Sequence, residues 1–434
     1  MRRSLAAAAA FVALAAACTG GGEPSPAGSQ PPSGSPAEVV VGDTTAAQAM
    51  RRLCVPAEIV ADPVTRVRVP AGIREVERQV EAVRGLAYKR RVNVEPITPA
   101  EIDRRLRVYF DAYYPQRFYA RRTRAWQTIG AIPNDIGILE ALDLYQQGQV
   151  LGFYNSQNEE LVYTGDADLD RVEHFVLAHE LTHAIDDQHF DLDTLDNMVA
   201  ACEDEAFEAA LGVVEGSANH FATQVLLRFP VASAGEVPSG GDTSRVPPLI
   251  LELQAYPYTV GQRFVDALAD EGGTEAIDRA LRTPPRTTEQ VLHPSKYPDD
   301  VPEQVDVPDF APTFGEGWRD LDVMEVGELW LRALLHLSSE LDDARAEAAA
   351  AGWDGGIYRA WTNGPDVAVV LATVWDTQKD AEEFGDVLAR WAKSIAGTRA
   401  GVIAVAGNHV SAAFASSEEL LPVVSSTLGS VAPA

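Results

Sequence analysis

At 434 residues, with 46% hydrophobic and 23% charged side chains, the chain has a globular composition and enough length for a large core, in two domains or one elaborated one. A formal net charge of −29 argues against nucleic acid as a partner, because phosphates would repel so acidic a surface.

Arg2 and Arg3 precede an apolar run from Leu5 to Ala17, and LAAAC ends at Cys18. Residues 1–17 therefore read as a lipoprotein-type export signal, with Cys18 lipidated, although Ala15 stands where such signals usually carry Leu. The expected address is the outer face of the cell membrane, reached through this N-terminal lipid anchor. Residues 18–36, rich in Gly, Pro and Ser, read as a flexible tether. No other apolar run is long enough to span a bilayer. Cys54 and Cys202 remain, and in an oxidising compartment they are expected to pair.

Residues 66–124 are crowded with arginines, including Arg84, Arg105 and Arg122. The bland account is a solvated face paired with the protein's own acids, which the overall charge favours; the other is a membrane-surface patch. Residues 136–149 look helical. VLGFY and ELVYT then flank NSQNE, which predicts a β-hairpin over 150–163, either structural or an edge that pairs with an extended peptide.

DLDRVEHFVLAHELTHAIDDQH (168–189) carries the chemistry. Val172, Phe175, Val176, Leu181, Ala184 and Ile185 recur at helical spacing, and Asp168 and Asp170 can cap the start. Within HELTH, His179 and His183 are related as i and i+4, so both imidazoles lie on one helical face. Two neutral nitrogen ligands with Glu180 beside them form the arrangement that a zinc-activated water requires.

A second long helix is predicted over 203–229, with Gly212 and Gly216 permitting close approach of a neighbour. Another helical stretch covers 258–282, followed by the proline-rich TPPRTTEQVLHPSKYP. Beyond about residue 311 the pattern changes. Residues 322–351 read as helix, 368–374, 402–405 and 409–414 as strands, and 380–395 as helix, with Gly407-Asn408 a hairpin turn.

The third ligand has two candidates. His189 follows His179 at metzincin spacing, but Asp186 occupies the glycine position of that pattern and no suitable Met-turn follows. Glu215, in VVEGSAN on the next helix, matches the helix–connection–helix arrangement of gluzincins and is preferred. GFYNSQNEELVY, HELTHAIDDQHFDL, the element from Glu215 to Ala218, TTEQVLHPSKYP, GWDGGIYRAW and TVWDTQKDAEEF, taken in order, resemble a family of mostly uncharacterised, gluzincin-type bacterial lipoproteins over most of residues 80–415.

That resemblance implies an α+β, mostly helical fold: a zincin-like catalytic core over 37–310 and a small α+β module over 311–434. It implies Zn²⁺ on His179, His183 and Glu215, and peptide-bond hydrolysis of a peptide or protein substrate with Glu180 as general base. Asn219 stands where thermolysin-like enzymes orient the first histidine with an acid. A donor for the oxyanion is expected from His293 or Tyr297, with His220 and Tyr258 as further options. The rival expectation is a non-catalytic surface-anchored binding or scaffolding lipoprotein on a zincin-derived fold. A solute-binding lipoprotein would share the address but leave HELTH and Glu215 unexplained.

Overall fold

A computed structural model describes residues 39–54, 69, 71–113, 116–146, 150–164, 169–232, 243–395 and 400–431. The signal, Cys18 and the tether lie outside these described residues. The architecture is α+β, with two sheets and many helices. Among the described residues no helix is long and apolar enough to cross a membrane.

The first sheet is small. Strand β1 (Asn93–Pro96) runs parallel to β3 (Glu160–Tyr163), which pairs antiparallel with β2 (Gly152–Asn155), leaving β2 at an edge. The predicted hairpin is therefore present as β2 and β3. β1 escaped notice because four residues ending in Pro96 are too short to display a period. Leu151 O accepts from Thr164 N at 2.7 Å. Antiparallel alternation then turns the main-chain groups of Gly152 and Tyr154 away from β3.

Against this sheet packs the helix Arg171–Phe190, hereafter the motif helix. Asp170 caps it by accepting from the N–H groups of Val172 and Glu173, and Glu173 answers to the Asp170 N–H, a complete capping box. Its residues from Leu177 to Asp186 are all buried, so it runs through the interior rather than along a surface. A 25-residue helix, Asp204–Arg228, crosses it and carries Glu215; we call it the glutamate helix.

Arg84, at the end of the helix Ala71–Arg84, ties these parts together. It is 1% exposed, its Nε donates to Asp186 at 2.7 Å, and its guanidinium stacks over Phe221 at 4.7 Å. Its Nη2 also forms an ion pair with Asp278 at 2.7 Å. The arginine-rich stretch is thus in part an internal fastening: Arg122 is likewise buried, between Asp204 and Asp322.

The second sheet, fully antiparallel, has the order β4 (Arg319–Glu325), β5 (Trp353–Asn363), β6 (Asp366–Trp375), β8 (His409–Ala415), β7 (Ala400–Ala406). Strands 6–8, the Gly407 turn and the helix Gln378–Ser394 agree with the sequence reading. The helix predicted over 322–351 is corrected: its first residues belong to β4, and helices occupy only Glu328–Leu335 and Asp343–Ala350. β4 hid because both its faces are buried, Asp322 being held by Arg122 and by the Tyr358 hydroxyl at 2.5 Å. All described residues belong to one compact unit, Glu38–Ala434. The change of architecture near residue 310 lies inside it, since Trp126 and Ile250 share an apolar cluster with Trp330, Tyr358 and Phe384.

Cys54 and Cys202 form a disulfide, with Cα atoms 5.9 Å apart.

Candidate metal centre and its cavity

The motif helix presents His179 and His183 side by side, and the glutamate helix brings Glu215 to them. Glu215 Oε2 is 3.0 Å from His179 Nε2 and 3.3 Å from His183 Nε2, and the two nitrogens are 3.0 Å apart. Zinc bonds of about 2.0–2.1 Å at tetrahedral angles set neighbouring ligand atoms about 3.3 Å apart, so these separations match three corners of one coordination sphere. Among the described residues this is the single cluster of three metal-ligating side chains.

The donor set can be followed atom by atom. Asn219 Nδ2 donates to Tyr258 O at 3.2 Å, which turns Asn219 Oδ1 towards His179 Nδ1, 3.0 Å away. An amide oxygen only accepts, so His179 carries its proton on Nδ1 and its Nε2 is bare in the neutral ring. That bare nitrogen faces a carboxylate oxygen and a second imidazole nitrogen. Such a convergence of lone pairs is stable around a cation, whether a proton or a metal ion, and the residues present fit a divalent metal.

The electrostatics agree. Burial would lower the His183 pKa, but the Glu215 carboxylate outweighs it and pushes it up to about 9. Burial would raise Glu215, yet His183 and hydrogen bonds from both imidazoles hold it far below the carboxylate range. Glu180, 7% exposed, is raised chiefly by burial, and its Oε2 accepts from the Tyr154 N–H of edge strand β2 at 2.8 Å. Tyr154 adds a second tie, its hydroxyl donating to Asp187 at 2.7 Å.

The sequence-predicted residues divide cleanly. His179, Glu180, His183, Glu215 and Asn219 come together. His189 does not: its Nε2 bonds Ala87 O at 2.9 Å, so of the two candidates it is Glu215 that stands beside the histidine pair. His293 and Tyr297 are engaged elsewhere and are not on the cavity wall, His293 bonding Glu328 at 2.8 Å and Tyr297 donating to Thr283 O at 2.7 Å. His220 faces Asp266 at 2.7 Å.

The aromatic that does arrive is Tyr258. Its ring lies 6.2 Å from that of His179, and its hydroxyl hydrogen-bonds Glu215. Burial first, then the Glu215 and Glu180 carboxylates, lift its pKa well above that of a free phenol. A single π-helical turn, Pro257–Gly261, delivers it. This turn fits because Gly261 and Gly216 lie face to face: a Cβ on Gly261 would sit 2.2 Å from Gly212 O, and one on Gly216 2.4 Å from Gly261 O.

The centre opens into a cavity of about 430 Å³, lined on this side by Tyr154, His183, Glu215 and Tyr258. That volume is within the range of small-ligand sites.

Residues 318–422, the second sheet and its helices, match a family described as a domain of unknown function (DUF8575). No curated protein and no solved structure matches the chain.

Proposed function

We propose that this chain is a zinc-dependent peptide hydrolase of gluzincin type, held at the outer face of the cell membrane through lipidated Cys18. The observation that carries the reading is the convergence of His179, His183 and Glu215 on one point, with a buried carboxylate beside it and a cavity in front. His179, His183 and Glu215 would hold the ion, which when bound makes an attached water acidic and polarises a peptide carbonyl.

Glu180 is the proton carrier. Tyr154 N–H fixes its Oε2, while Oε1 has no hydrogen-bond partner among the described residues and is free to take a proton from water and return it to the leaving amine. Tyr258, close to the ligand set and neutral at physiological pH, supplies the hydroxyl that steadies the developing oxyanion, the role expected earlier of His293 or Tyr297. β2 is an edge strand of its sheet, the kind of edge that pairs with an extended peptide. The disulfide suits an exported protein.

Glu180→Gln tests the mechanism. The variant is expected to bind about one zinc per chain, measured by metal analysis, and to lose hydrolysis of a peptide library by at least a hundredfold, in keeping with the usual contribution of a general base. Undiminished cleavage would remove Glu180 from the reaction. Zinc uptake without cleavage of any peptide by the unaltered protein would favour the binding lipoprotein instead.

A further inference from the structure

Beyond the metal centre, the cavity wall changes character. Glu208 lies seven residues before Glu215 on the glutamate helix, about 10 Å along its axis and on nearly the same face, and Glu205 lies one turn further on. Glu325, at the end of β4, closes the same wall from the second sheet. Trp126 and Trp330, ring centroids 5.8 Å apart, stand among them.

None of these three carboxylates has a cationic partner among the described residues. Glu208 and Glu325 have no hydrogen-bond or ion-pair partner among the described residues. Glu205 is 8% exposed; its Oε1 accepts from the Thr288 N–H at 2.5 Å and hydroxyl at 2.7 Å, and its Oε2 has no hydrogen-bond partner among the described residues. Among the described residues Arg122 is the only Lys or Arg on the cavity wall, and its charge is already shared by Asp204 at 2.7 Å and Asp322 at 3.1 Å. Both indoles are 5% exposed with Nε1 unpartnered. Glu208 and Glu325 are half-buried on the wall, and a pocket for an apolar ligand gives no reason to line it with carboxylates lacking counter-charge, since an apolar occupant would strip their hydration.

We infer that this end of the cavity receives a cationic side chain, lysine or arginine, of the peptide substrate, with Glu208, Glu205 and Glu325 as its charge partners and Trp126 and Trp330 as its aromatic walls. The inference rests on the peptidase reading and adds the substrate class to it. An organic cation satisfies both halves of the wall at once, pairing with carboxylates and lying against ring faces. The spacing from Glu215 to Glu208 suits an extended basic side chain on a residue next to the scissile bond. In the uncharged cavity, burial and then its neighbours Glu205 and Asp204 push Glu208 up to about 8; burial likewise raises Glu205 and Glu325, each to about 7. An arriving cation reverses that tendency and draws the acids into their ionised form. The second sheet, matched only to a domain of unknown function, thereby acquires a role: Glu325 and Trp330 make it one wall of the specificity pocket.

Two measurements on the full zinc-loaded chain separate this inference from the peptidase reading. The first is calorimetric binding of butylguanidinium, which requires no hydrolysis. It is expected to bind saturably, and Glu208→Gln to weaken it at least fivefold. The second is kcat/KM for matched peptides carrying arginine or norleucine at one position. Arginine is expected to be preferred at least tenfold, and Glu208→Gln to lower that ratio at least tenfold, with circular dichroism checking the fold. Glu325→Gln, on another element, should lower it in the same direction. Saturable butylguanidinium binding without any peptide cleavage would support the cationic pocket while sinking the peptidase reading. Equal affinity in Glu208→Gln, a norleucine preference, or tight Ca²⁺ uptake that displaces butylguanidinium would overturn the inference.

Discussion

A single amide decides how the centre is read. Because Asn219 is oriented by Tyr258 O, it fixes the proton on His179 Nδ1 and bares Nε2 towards Glu215 and His183. An aspartate there would bind the same imidazole with a charge; the amide does so without one. Asn219→Ala is therefore expected to weaken zinc binding about 10–100-fold, the usual effect of removing a ligand's hydrogen-bond partner, while Asn219→Asp should equal or exceed the native affinity. Competition with a chromophoric chelator measures both, and an unchanged constant in Asn219→Ala would release the asparagine from this role.

Glu208 gives a second test at this scale, one that needs no substrate. Burial and its acidic neighbours raise its pKa from an ordinary 4.5 to about 8, so the folded state prefers it neutral. Its contribution to stability is complete below about pH 4.5 and is lost as pH rises through about 8. Glu208→Gln should therefore melt higher than the native protein at pH 9, with the gap closing by pH 5. Parallel curves across that range would contradict the burial of an unpaired acid.

Two helices and one irregular turn build the centre. The HELTH helix supplies adjacent nitrogens by its own periodicity, but Glu215 reaches them only because the glutamate helix crosses at that level. Tyr258 depends on still closer packing, through the glycine contact between Gly216 and Gly261. Gly261→Ala puts a methyl group into the backbone of the glutamate helix. It is expected to cost about 1–3 kcal/mol, as overpacking usually does, and to lower kcat more than it raises KM by shifting Tyr258. Denaturant melts and kinetics together check this; a neutral substitution would show that the turn is not held by that contact. Arg84 performs the complementary service from below, its guanidinium filling the space between three helices and offsetting Asp186 inside the motif helix.

At the level of the whole molecule, the half that carries the candidate metal centre and the second sheet share one apolar core and one cavity. The Cys54–Cys202 bridge joins residues 148 positions apart and ends immediately before the glutamate helix. Replacing either cysteine with serine is expected to cost about 2–5 kcal/mol, since the bond restricts a long loop in the unfolded chain. Comparing denaturant midpoints of oxidised protein, reduced protein and Cys202→Ser measures it; coincident midpoints would make the bridge dispensable.

What the residues announced on their own was local. The i, i+4 histidines, the Asp170 cap, the hairpin before them and the long helix after them all follow from periodicity and capping, which depend on neighbours in the chain. Even Glu215 was legible, through the order of elements in a recognised pattern. Tertiary packing decided what periodicity cannot encode: that His189 turns to Ala87, that Tyr258 rather than His293 or Tyr297 stands beside His179 and Glu215, and that Glu208 and Glu325 line one cavity from two sub-architectures. It also decided that β4, whose alternate acids Asp320 and Asp322 are held in ion pairs with Arg359 and Arg122, is a strand rather than the start of a helix. These outcomes rest on which distant surfaces can approach within van der Waals contact, and chain-neighbour patterns carry no record of that distance.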